Sequence, residues 1–114
     1  DSIEPIPCMS VSYQIAQKLH ACTEVKPGED NDRFTDLIDL QLLEELVDDW
    51  HSVRTACEEV FGLRAKHPWP PAVLVYPSWT EAYAASAIAN YFPVTDVAEA
   101  AANVTALIAR IELA

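Results

Sequence analysis

Residues 32–47 read Asp32-Arg33-Phe34-Thr35-Asp36-Leu37-Ile38-Asp39-Leu40-Gln41-Leu42-Leu43-Glu44-Glu45-Leu46-Val47, and their pattern decides the fold. On a 3.6-residue period, Phe34, Leu37, Ile38, Leu40, Leu42, Leu43, Leu46 and Val47 wrap almost the whole circumference. That is the pattern of a helix buried on most sides. Such a helix needs other elements packed around it, and the flanking sequence supplies helices.

Upstream, Val11, Ile15, Leu19 and Cys22 fall at i, i+4, i+8 and i+11, which predicts a helix over residues 11–24. Lys26-Pro27-Gly28-Glu29-Asp30 ends it in a polar loop. Downstream, Asp48 or Asp49 caps a third helix with Trp50, Val53, Cys57, Val60 and Phe61 on one face. His67-Pro68-Trp69-Pro70-Pro71 is irregular, and residues 72–76 have room for one short strand. Ser78 with Glu81, and Asp96 with Glu99, form capping-box patterns. They open a fourth helix through Trp79, Tyr83, Ile88 and Tyr91, and a fifth with a stripe of Val97, Ala101, Val104, Ile108 and Ile111. Residues 1–10, with Pro5 and Pro7, read as an extended lead-in. The expectation is an all-α fold: a compact bundle of about five helices in one unit, residues 1–114.

Composition agrees with helices: only Gly28 and Gly62 are glycine, against many alanines and leucines. The formal net charge is −11, and fourteen of the eighteen acidic residues precede Lys66. A surface this acidic repels nucleic acid, so any basic surface for RNA has to come largely from other sequence. Cys8, Cys22 and Cys57 form no C-x-x-C pair and read as reduced, mostly buried thiols. No signal-peptide pattern is present, nor any apolar run near the roughly 20 residues that span a bilayer. A cytoplasmic protein without membrane contact is expected.

The chemistry concentrates between Tyr13 and Leu40. Lys18 lies beside Ile15 and Cys22 at the edge of its helix's apolar stripe, where an ammonium needs an anion. Asp32, Asp36 and Asp39 share one face of the next helix, which continues into Leu43, so Asp36 and Asp39 are expected to be at least partly buried. Lys18 and Arg33 are their natural partners. Three readings stay open at this point, the plainest being that the aspartates are simply solvated. Another is a structural ion-pair cluster between packed helices; the third is a phosphate-binding, metal-assisted site. A metal-dependent nuclease built on Asp36 and Asp39 is disfavoured by the lack of further acidic or histidine ligands.

Tyr13-Gln14-Ile15-Ala16-Gln17-Lys18-Leu19-His20-Ala21 resembles the A-x-K-L-H-A segment of AbiEii-type nucleotidyltransferases. Asn31-Asp32-Arg33-Phe34-Thr35-Asp36-Leu37-Ile38-Asp39-Leu40 resembles the R-x-x-D-x-x-D-L segment that follows it in that family, in the same order. A weaker likeness runs through residues 57–64 and the proline-rich loop to Trp79. The resemblance implies transfer of a nucleotide from a nucleoside triphosphate (NTP) to an RNA or protein acceptor, with Mg2+ and a polymerase-β-like core. It implies toxins of toxin–antitoxin pairs, some acting on tRNA ends, and hence a possible antitoxin partner. By motif position, Lys18 would contact the triphosphate. Asp36 or Asp39 would assist the acceptor or orient the lysine, and Arg33 would support the acidic helix.

The chain departs from the family's pattern at its start. The glycine-rich turn and metal-holding acidic pair that open the full enzymes have no counterpart. No Gly-Gly occurs, and Asp30 and Asp32, which flank Asn31, sit in a loop opening a helix. The chain begins at Asp1 with no initiator methionine. The expectation is therefore the helical C-terminal half of such an enzyme, with the N-terminal catalytic core absent and no turnover by itself. The runner-up is a non-catalytic helical protein-interaction module. Among the other polar and aromatic residues, His20 is expected at the surface or between domains, opposite the apolar stripe, and His51 and His67 stand alone in the sequence. Trp69 and Trp79 are expected as core or interface plugs rather than base-stacking platforms.

Overall fold

The computed structural model describes residues 10–114; the lead-in of residues 1–9, including Cys8, lies outside the described residues. Five helices follow in order: α1 (Val11–Thr23), α2 (Thr35–Glu44), α3 (Trp50–Arg64), α4 (Trp79–Ala89) and α5 (Val97–Glu112). Among the described residues there is no strand, and residues 72–76 are irregular. The chain is an all-α bundle. α1 packs between α3 and α2, while α5 closes the other side against α2, α3 and α4.

Each helix start has a local cause. The Ser10 hydroxyl accepts from the Tyr13 backbone N–H at 3.2 Å and caps α1. Asp49 accepts from the N–H groups of His51 and Ser52, and Asp96 from that of Ala98, so α3 and α5 begin where the sequence indicates. Ser78 does not cap α4: its hydroxyl donates instead to Asp30 at 3.1 Å. α2 is shorter than the periodicity suggests at both ends. The Asn31 side-chain oxygen accepts from Arg33 N–H at 2.7 Å, forming a turn that delays the helix to Thr35. At the far end, Leu46 and Val47 donate back to Leu43 and Glu44, three-residue bonds that close the helix at Glu44.

One core joins the bundle. Ile15 and Leu19 of α1, Leu37 and Leu40 of α2, Val53 and Cys57 of α3, Trp79 and Tyr83 of α4, and Val104 and Ile111 of α5 are all buried. The stripes of α1, α3 and α5 fall close to their sequence assignments. α4 does not follow its assignment: Ala87 is buried, while Ile88 and Tyr91 are exposed. α2 is also less enclosed than its pattern indicates. Leu42 is half exposed, and Leu46, past the end of the helix, more so. The Lys26–Glu29 segment is a tight turn with Pro27 and then Gly28 at φ 76, a positive angle that glycine takes without strain.

Candidate functional site

α1 and α2 meet along a seam that brings all four sequence-selected residues together. Lys18 Nζ donates to Asp39 Oδ2 at 3.0 Å and lies 3.7 Å from Asp36 Oδ1. Arg33 grips Asp36 from the other side through Nε at 2.9 Å and its terminal nitrogen at 3.3 Å. The guanidinium thus meets the carboxylate as a two-point fork. That contact is also the main reason the Arg33 pKa is raised above its ordinary value. Asp32 is exposed and lies before the helix, apart from these contacts.

Burial separates the two aspartates that spacing alone leaves equivalent. The Asp36 side chain is 3% exposed and both its oxygens face cations. The Asp39 side chain is 44% exposed, and Oδ2 meets Lys18. Asp36 is therefore the anchor that two cations neutralise, whereas Asp39 is the carboxylate a solute can reach. Lys18, at 27% exposure, stands at the mouth of a groove of about 340 Å³ lined by Gln14, Lys18, Asp39, Leu42 and Leu43. An ammonium has three N–H donors. Two of them are directed to Asp39 and Asp36 at most.

Two residues that hold this seam in register were not selected from the sequence. Asn31, buried in the α1–α2 loop, donates to the carbonyls of Ala21 and Glu24 at 2.8 and 2.9 Å, tying down the C-terminal end of α1. The Trp79 indole N–H donates to the Asn31 carbonyl at 2.6 Å, fixing the loop to α4. The readable signal was a turn-forming asparagine set between a loop and an amphipathic run. Cys22 lies beneath the seam, its thiol pushed up to about 12 by burial and by the Asp36 charge. It is an inert filler.

In the seam both carboxylates already face cations, Asp36 meeting Lys18 and Arg33 and Asp39 meeting Lys18. Among the described residues no group of three His, Cys, Asp or Glu side chains is arranged to hold a metal ion. His20 and His67 also differ from expectation: both rings turn inward, His20 with 2% exposure, and they pack on each other and on Phe61. A helical wheel places His20 opposite the apolar stripe of α1, but Phe61 of α3 and His67 cover that side as well. Trp79 is a core plug, and Trp69 packs on Phe61 at the core's edge. No helix among the described residues is long and apolar enough to cross a membrane.

No curated protein matches the chain at a significant level of similarity. The family model described as "Nucleotidyl transferase AbiEii toxin, Type IV TA system" matches residues 2–104, which takes in the whole Lys18–Asp39 seam. With the lysine and aspartate segments in order, and joined in space by the ion pairs above, the chain belongs to the AbiEii nucleotidyl transferase toxin family of type IV toxin–antitoxin systems.

Proposed function

We propose that this chain is the helical C-terminal part of a nucleotidyltransferase and that Lys18 receives the triphosphate of an NTP at the groove mouth. The observation that carries the reading is the two-sided hold on Lys18: Asp39 at 3.0 Å and Asp36 at 3.7 Å fix a part-exposed ammonium beside an open groove. A preset cation answers phosphate charge without having to be ordered at the moment of reaction. Arg33 neutralises Asp36, so that the seam does not present two uncompensated carboxylates to an incoming anion. Asp39 is the residue placed to meet an acceptor hydroxyl or to keep Lys18 aimed. The described residues do not fit magnesium, so no step here runs through it; its ligands belong to a catalytic core outside this sequence. The acceptor is RNA, such as a tRNA end, or protein, and an antitoxin opposes the activity.

A second reading, a non-catalytic module that docks a protein, is favoured by two exposed leucines: Leu42, which lines the groove, and Leu46, further along the chain. Lys18 substitutions in the full-length enzyme separate the two. Lys18→Arg keeps the charge and changes the shape offered to phosphate. Lys18→Met removes the charge and costs about 1–3 kcal/mol, since it takes a partner from a poorly solvated carboxylate. The expected outcome is an arginine variant that melts like wild type and transfers little labelled nucleotide. Wild-type transfer by the arginine variant, or by a folded methionine variant, removes Lys18 from the site.

A further inference from the structure

On the side of α1 away from the seam, His20 and His67 lie with ring centroids 4.6 Å apart. Both meet Phe61 edge-on at 5.0 and 5.1 Å, and Phe61 meets Trp69 at 5.5 Å. The Thr23 hydroxyl has one hydrogen and donates it to the Leu19 carbonyl at 2.6 Å. Toward His67 Nε2, 2.8 Å away, the same oxygen therefore accepts. This fixes the tautomer: His67 carries its hydrogen on Nε2, and Nδ1 is bare. His67 Nδ1 and His20 Nε2 are both buried and have no hydrogen-bond partner.

The segment that carries His67 depends on these side chains. Among the described residues no backbone–backbone hydrogen bond ties residues 66–75 to anything. Beside it opens a cavity of about 630 Å³ bounded by Thr23, Lys26, Lys66 and His67.

We propose that His20 and His67 form a proton-operated latch. With both rings neutral, residues 66–70 are held against α1 and α3; a proton on either ring releases them and uncovers Phe61 and Trp69. A proton on His67 Nδ1 would point an N–H where no acceptor lies, and it would put a charge among apolar rings. The charged groups facing the pair do not compensate. Arg64 from the end of α3 and Lys66 from the loop oppose a second positive charge, and among the described residues only Glu24, just past α1, favours one. Burial depresses both imidazoles below the ordinary histidine value, and for His20 the neighbouring His67 and Arg64 add to it. The sign follows: a base with a lowered folded pKa stabilises the closed form fully above its unfolded value of about 6.5. That stabilisation is lost as the pH falls below this value toward the folded pKa.

The test is fluorine NMR of the full chain labelled with 5-fluorotryptophan, which reports Trp50, Trp69 and Trp79 separately. Between about pH 7.5 and 5, which takes in the range below the ordinary histidine value where these two lose their stabilising effect, the Trp69 resonance is expected to move to a solvent-exposed position while Trp79 stays. His20→Phe with His67→Gln keeps ring volume and an N–H donor but no titrating group, and should abolish the movement. A Trp69 signal that does not move in wild type, or that still moves in the double variant, overturns the latch. Should the double variant fail to fold, the histidine C2 protons of wild type decide. His20 and His67 must titrate over the interval in which Trp69 moves, and movement without their titration overturns the proposal.

Discussion

The two long faces of α1 bury titratable side chains by opposite means. Toward α2, Lys18 meets charge with charge, and the nearly buried Asp36 is answered by two cations. Toward α3, His20 and His67 are kept uncharged by dryness, each with a ring nitrogen left unpaired. The first face tolerates burial because each charge has a partner with hydrogen-bonding geometry. The second tolerates it only while no proton arrives. One helix thus carries a seam organised to hold a charge beside a groove and a seam organised to exclude one.

The sharpest way to break the comparison is to strip the first face of its cations. Lys18→Met with Arg33→Met leaves the Asp36 carboxylate buried with neither partner, and removing the partners of a buried ion costs about 3–5 kcal/mol. Urea unfolding should show the midpoint falling far more than for either single change, because each remaining cation still serves Asp36 alone. A double variant no less stable than the single ones would show that solvent reaches Asp36.

The second face should yield less to a comparable change. Thr23→Val keeps the shape and removes the acceptor of the His67 Nε2 hydrogen. Moving that hydrogen to Nδ1 gains nothing, since that atom is also without a partner. The expected loss is about 1–2 kcal/mol, the cost of one unsatisfied donor. Thermal melts near neutral pH measure it, and an unchanged melting temperature would mean that the hydroxyl is not what orients the ring.

The contrast also explains what could be read from the sequence. The charged face was legible because its logic is local. Lys18 lies at a stripe edge, Arg33 and Asp36 are three residues apart, and opposite charges on adjacent helices find each other. The paired histidines were not legible, because His20 and His67 are joined only by the packing of α3 against α1. A helical wheel knows one buried side, and α1 has two. The same limit applies to α2, where an apolar circumference indicated burial all round while Leu42 and Leu46 stand exposed. Ser78 matched a capping box, yet its hydroxyl serves Asp30 in a distant loop. Asn31, which sets the register of the seam, carried only the signal of a turn residue.

The smallest expected effect on stability is the most telling for function. Asp39 differs from Asp36 chiefly in exposure: its side chain is 44% exposed, against 3%. Asp39→Asn removes one charge from a part-exposed pair, and such pairs contribute about 0–1 kcal/mol. The amide oxygen can still accept from Lys18, so the groove keeps its shape. If Asp39 only decorates the helix surface, the variant should melt and transfer nucleotide like the parent. If it is the carboxylate that meets the acceptor or aims Lys18, the full-length variant should melt within a degree or two of wild type and yet lose most of its transfer. Salt separates these cases further: added salt weakens an exposed pair, so a merely structural Asp39 predicts that the small stability difference vanishes at high salt with transfer unaffected. A transfer defect that persists at high salt in a protein of normal stability assigns the loss to the chemistry of the groove. Normal transfer at every salt concentration would return Asp39 to the surface and leave Lys18 with Asp36 as the whole of the site.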